Sequence, residues 1–116
     1  MIKYLPMIAL AGAAAFATPA GAVSFKCSNA TETAERVICG NAQLSRLDDR
    51  LASLYKDLMR ALDREDQREG LRDYQHRFLE TRDACGQSRS CIKGAYLDQI
   101  DVLKMRLRYA DNGWLR

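Results

Sequence analysis

The sequence has little that would break a helix or build a sheet. Its two prolines are Pro6 and Pro19, so no proline follows residue 19. Val, Ile and Thr, which favour strands, supply only 9 of the 94 residues from Val23 onward, whereas Leu alone supplies 12. Leu, Arg, Ala, Asp and Glu dominate this part of the chain, and most of them favour helices over strands. The composition therefore predicts an all-α domain.

Residues suited to catalysis or metal binding are also scarce. The sequence has one histidine, His76, and no Cys-x-x-Cys pair, which argues against a zinc site. His76 could act as a general base beside Asp73 or Glu80, but no Ser-His-Asp or Cys-His arrangement accompanies it. We therefore expect a non-enzymatic protein without metal or cofactor, in which His76 lies on an exposed helix face.

The charged residues form no large block of one sign. The net charge is +3, and it is +2 from Val23 onward, where 17 basic residues face 15 acidic ones. A nucleic-acid-binding protein usually concentrates its basic residues on one side. The small basic stretch of Lys104, Arg106 and Arg108 is typical of a solvated last helical turn, which the helix dipole favours. We expect no nucleic-acid partner.

Residues 1–22 have the features of a secretory leader. Lys3 precedes an apolar run from Tyr4 to Ala17, and Ala20-Gly21-Ala22 is a small-x-small cleavage site. We expect residues 1–22 to be removed as a signal peptide and residues 23–116 to form one domain, which is too short for two cores. The product would be periplasmic or secreted, with no membrane span once the leader is removed.

The four cysteines all follow the predicted leader: Cys27, Cys39, Cys85 and Cys91. An even number in an exported chain implies two disulfides, for which three pairings exist. Eleven residues separate the first two cysteines and five separate the last two. This spacing favours the local pairs Cys27–Cys39 and Cys85–Cys91.

The apolar spacing predicts three to four helices, which span residues 29–39, 42–63, about 71–84 and 91–109. Asn29 with Glu32 suggests a capping box, and Asn41 and Ser90 are candidate N-caps. A turn is expected at residues 64–70. We predict a small disulfide-stapled helical bundle or hairpin, in which the second helix forms a long antiparallel pair with the third or fourth.

Several polar and aromatic residues allow both a structural and a functional interpretation. Asp48 and Asp49 could enter the cleft of a cationic enzyme, or they could simply favour the dipole of the second helix. The tyrosines on the apolar stripes are expected in the core with their hydroxyls at its edge; they are Tyr55, Tyr74 and Tyr96.

Five residues are candidates for contact with a protein partner. Four are acidic and lie in one segment: Asp63, Glu65, Asp66 and Glu69. The fifth, Trp114, lies beyond the Asn112-Gly113 helix stop, where an aromatic residue either contacts a partner or folds back over the helix ends.

Several motifs resemble the small secreted domain of the LprI-type lysozyme inhibitors. The motifs are Phe25-Lys26-Cys27, Ala30, Glu35, Ile38-Cys39, Asn41 to Asp48, Leu51, Tyr55, Gln75 to Leu79, Arg82 to Gly86, Cys91-Ile92 and Tyr96. The resemblance implies an exported helical domain found in bacterial envelopes. It departs from the family pattern at Phe78, where a tryptophan is usual, and at Gln99, where an arginine is frequent; either change could alter a partner-binding surface.

Two functions are compatible with this resemblance. The first is a periplasmic lysozyme inhibitor that blocks the cleft of the enzyme. The alternative is an envelope scaffold or interaction module with another protein partner. Because many lysozymes are strongly basic, a chain of net positive charge gains no general electrostatic steering toward them. Inhibition would then need a local acidic patch, for which residues 63–69 are the candidate.

Overall fold

The computed structural model describes residues 24–112, which form four α-helices and, within that range, no strand. A 3-10 turn at Cys27–Asn29 precedes α1 (Thr33–Cys39), α2 (Ala42–Ala61), α3 (Glu65–Ala84) and α4 (Arg89–Asp111). The predicted all-α fold is confirmed. The predicted leader at residues 1–22 and the candidate contact Trp114 lie outside the described residues. Among residues 24–112, no helix combines the length and the apolarity that crossing a bilayer requires.

The start of α2 agrees with the sequence prediction, and the start of α1 does not. The Asn41 side chain accepts the Leu44 N–H at 2.9 Å and so caps α2. At α1, the Glu35 carboxylate accepts the backbone N–H groups of Thr31 at 3.2 Å and Glu32 at 3.4 Å. The helix therefore begins at Thr33, and the predicted Asn29 cap is wrong, because residue 29 belongs to the preceding 3-10 turn.

The two later turns are also tighter than predicted. The Gln67 side chain accepts the Arg64 N–H at 3.3 Å, so α3 begins at residue 65 and includes most of the predicted 64–70 turn. The hydroxyl of Ser88, rather than that of Ser90, accepts the Cys91 N–H at 3.2 Å. α4 therefore begins two residues earlier than expected.

The three long helices bury side chains at seven-residue intervals, which is the spacing of helices that pack at a small crossing angle. The buried residues with this spacing are Leu44, Leu51 and Leu58 in α2, Leu71 and Phe78 in α3, and Tyr96, Leu103 and Ala110 in α4. α2 packs most extensively against α4. Because α3 runs back between them in the chain, α2 and α4 are parallel, which corrects the expectation that the main pair is antiparallel.

Both predicted disulfides are confirmed. Cys27–Cys39 joins the 3-10 turn to the end of α1, and Cys85–Cys91 joins the end of α3 to the first turn of α4. Inside the second ring, Gly86 has φ of +59°, a left-handed conformation that costs glycine little. The two covalent links lie at the same end of the bundle, where α1 also packs.

Each disulfide is expected to stabilise the fold by shortening the loops of the unfolded chain. Replacing Cys85 and Cys91 together by Ala should lower the free energy of unfolding by about 2 kcal/mol. Replacing Cys27 and Cys39 should cost about 3 kcal/mol, because that ring is longer. Urea denaturation followed by circular dichroism measures both effects. An unchanged midpoint and helix signal under reductant would contradict this account.

Candidate functional site

A buried network of polar side chains joins all four helices at the end of the bundle that carries the disulfides. Asp48 of α2, Arg82 of α3 and Tyr96 of α4 are only 4%, 2% and 0% exposed. The Tyr96 hydroxyl donates to Asp48 Oδ1 at 2.7 Å, and Arg82 Nη1 donates to the Tyr96 oxygen at 3.4 Å. Arg82 Nη2 also donates to Glu35 of α1 at 3.2 Å.

The segment just before α1 completes this network. Ser24 donates to the Asp48 carboxylate through its backbone N–H and, at 3.1 Å, through its hydroxyl. The Phe25 ring lies 5.4 Å from the guanidinium carbon of Arg82, and Asp83 accepts from Arg82 at 2.7 and 2.9 Å. Among the described residues, no buried side-chain polar atom lacks a hydrogen-bond partner.

The groups of this network hold the helices together and do not exchange protons at physiological pH. Burial, and then the negative charge of Asp48, raises the pKa of the Tyr96 hydroxyl far above its usual range, so Tyr96 keeps its proton at any physiological pH. The structure excludes the alternative in which Asp48 enters a partner's cleft, because its carboxylate is buried in this network. It corrects the expectation that the Tyr96 hydroxyl lies at the edge of the core, since this hydroxyl lies inside it.

The burial of Arg82 was not predicted from the sequence. Its position contained the signal, because Arg82 lies one turn after Phe78 on the apolar stripe of α3. Ser24 was also missed as a structural residue. It is the second residue after the predicted leader, in a stretch with no helical periodicity, and only the tertiary structure shows its contact with Asp48.

The remaining candidate for chemistry is His76, which is exposed on α3 as predicted. Its Nε2 atom lies 3.7 Å from the Glu80 carboxylate on the next turn. Within residues 24–112, no three His, Cys, Asp or Glu side chains are grouped so that they could hold a metal ion.

The four acidic candidate residues are exposed around the turn between α2 and α3: Asp63, Glu65, Asp66 and Glu69. Two of them are paired with arginines. Glu65 accepts hydrogen bonds from Arg68, at 3.0 Å, and from Arg72, and these bonds lower its pKa. Asp66 accepts two from Arg64, at 2.7 and 3.0 Å, which lower the pKa of Asp66. The neighbouring arginines thus offset much of the negative charge of this segment.

An apolar groove of about 600 Å³ lies beside the acidic segment. It is lined by residues of three helices, chiefly Leu58, Leu62, Leu71, Tyr74, Val102 and Met105. The Arg106 guanidinium lies 4.5 Å from the centre of the Tyr74 ring. Tyr109, near the end of α4, also lines this groove. The acidic segment and the helix end that leads toward residue 114 therefore lie at the same end of the bundle.

The two departures from the expected family pattern are both interior positions. Phe78 is buried and its ring meets that of Tyr96 edge-on, with 5.1 Å between centroids. Gln99 is buried and its side chain donates to Gln75 at 3.1 Å. Both residues take part in the packing between α3 and α4. Because both are buried, they do not form part of a partner-binding surface, contrary to expectation.

Removing one hydroxyl tests the buried network. Tyr96→Phe is expected to lower the free energy of unfolding by about 1–3 kcal/mol, because the buried Asp48 carboxylate loses a donor and Arg82 loses an acceptor. The matched control is Tyr74→Phe, which removes the hydroxyl of a half-buried tyrosine outside the network. The control should change the free energy by less than about 0.5 kcal/mol. Equal effects of the two substitutions in urea denaturation would contradict the role of the network.

The same variant should remove a pH effect. Above about pH 10 the unfolded chain loses the Tyr96 proton while the folded chain keeps it. The stability of the wild type should therefore fall as pH rises beyond that value, by up to about 1.4 kcal/mol per pH unit from this group, with no such loss below it. Urea midpoints measured below and above this pH should show a smaller loss for Tyr96→Phe.

Comparison with known proteins identifies the family of this domain. A family model described as "Lysozyme inhibitor LprI" matches residues 26–112. No curated protein and no solved structure matches the chain. The matched region is three quarters of the sequence, and it contains all four cysteines and the four helices joined by the buried network. The chain therefore belongs to the LprI lysozyme inhibitor family.

Proposed function

We propose that this protein is an exported lysozyme inhibitor that acts in the periplasm or outside the cell. The observation that carries the proposal is the family match over residues 26–112. The two disulfides support export, because such bonds persist mainly in oxidising compartments outside the cytosol. Lysozyme acts on the cell wall, so inhibitor and enzyme would meet in the same compartment.

The inhibitor would act by binding and not by chemistry. The buried side-chain polar atoms of the described residues all have hydrogen-bond partners, and His76 lies on the surface with its Nε2 atom 3.7 Å from the Glu80 carboxylate. A catalytic site needs a nucleophile or an activated water held beside a base, and the contact between His76 and Glu80 supplies neither. The arrangement favours a rigid domain whose surface occupies the cleft of the enzyme.

A direct assay tests inhibition. The oxidised protein, added at micromolar concentration, is expected to slow the clearing of a bacterial cell suspension by purified lysozyme. An unrelated carrier protein at the same concentration serves as the control for nonspecific effects. If the oxidised protein does not slow clearing by any lysozyme tested, inhibition is refuted, and the scaffold interpretation with another protein partner would replace it.

The acidic-segment hypothesis makes a separate prediction. Replacing the four acidic residues together by their amides should weaken inhibition several-fold if they contact a basic enzyme surface; the changes are Asp63→Asn, Glu65→Gln, Asp66→Asn and Glu69→Gln. The inhibition constant measures the effect, and circular dichroism checks that the helices persist. An unchanged constant would exclude this end of the bundle as an electrostatic contact surface.

A further inference from the structure

A hollow of about 470 Å³, with a mixed polar and apolar lining, lies at the end of the bundle opposite the acidic segment, between α1 and the turn that joins α3 to α4. Arg36 of α1 and Arg89 at the start of α4 both line it, together with Thr33 and Gln87. Both arginines are exposed. Neither guanidinium has an ion-pair partner within residues 24–112, in contrast to the arginines that surround the acidic segment.

The elements that carry these two arginines are firmly held. The Cys85–Cys91 disulfide closes the turn before Arg89, and the Ser88 hydroxyl caps the first turn of α4. α1 is fastened by Cys27–Cys39 and by the hydrogen bond from the Ser45 hydroxyl to the Ile38 carbonyl, at 2.8 Å. A surface that is already ordered loses less conformational entropy when it binds.

The disulfide-closed turn is also accessible to a partner. Its four residues from Gln87 to Ser90 are all exposed and polar, and they follow one another without a buried position. The turn lies at the tip of the α3–α4 hairpin, so it can enter a concave site. Its only charge is that of Arg89, and the neighbouring Arg36 has the same sign.

The chemistry of a glycosidase cleft is complementary to this tip. A retaining glycosidase holds two carboxyl groups on either side of the bond that it cleaves. Guanidinium groups bind carboxylates through two parallel hydrogen bonds, and this pairing is strong where water is excluded. A chain of net charge +3 is not attracted to the exterior of a basic enzyme. For these two arginines, the favourable charge interaction is therefore with the carboxyl groups of the cleft.

We infer that the protein inhibits lysozyme by placing the turn between Cys85 and Cys91 in the cleft of the enzyme, where Arg89 and Arg36 bind its carboxylates. This inference rests on the proposed function. It assigns the contact to the disulfide end of the bundle, and so it differs from the hypothesis that the acidic segment contacts the enzyme.

A pair of charge-matched double variants tests the inference. Arg36→Gln with Arg89→Gln removes two positive charges from the disulfide end. Lys104→Gln with Arg108→Gln removes two from exposed positions near the other end of α4. The first variant is expected to raise the inhibition constant for a retaining lysozyme by about 100-fold, at about tenfold for each charged hydrogen-bonded group. The second should change it by less than about threefold.

The outcomes separate the inference from the proposed function. If the wild type inhibits and the Arg36/Arg89 variant inhibits equally well, with unchanged helix signal and urea midpoint, the inference is overturned and the proposed function stands. If the wild type does not inhibit any lysozyme, both fail. The amide variant of the acidic segment should keep full inhibition under this inference, which is the opposite of what the acidic-segment hypothesis predicts.

Discussion

The arrangement of the four helices depends on the buried contact of Arg82 with Tyr96, Glu35 and Asp83. A charged side chain that is only 2% exposed is costly unless each of its donors finds an acceptor. Here the acceptors come from three helices, so one relative placement of those helices satisfies the guanidinium. Tyr96 then extends the network to Asp48 of α2. Apolar stripes alone would allow the helices to slide or rotate, whereas this set of hydrogen bonds specifies their register.

The two ends of the bundle differ in the kind of interaction that connects the helices. The polar network, both disulfides and α1 lie at one end, where the connections between elements are covalent or buried. At the other end, apolar packing between α2 and α4 borders an open groove, and the ion pairs are exposed and join residues near one another in the chain. Exposed pairs of this kind contribute little to stability. Rigidity is therefore concentrated where the proposed enzyme contact lies.

The LprI resemblance corresponds to this interior more than to a surface. Glu35, Asp48, Arg82 and Tyr96 all belong to the motifs that carry the resemblance, and all four are members of the network. The residues that mark the family are thus residues that hold the helices of the fold together. Under the proposed function, recognition of lysozyme would come from exposed residues such as those from Gln87 to Ser90, which those motifs leave open.

The amino-acid sequence alone determined the all-α fold, the extent of α2 and the two disulfide pairs, because helical periodicity and short cysteine spacing are local properties of the chain. It did not determine where α1 and α4 begin, since several neighbouring polar residues can cap a helix and small differences in hydrogen-bond geometry choose among them. Only the tertiary structure decided that α2 pairs in parallel with α4, that Arg82 is buried and that Arg36 and Arg89 line the same hollow. Each of these depends on contacts between residues far apart in the chain, and no local pattern encodes which distant side chains will meet.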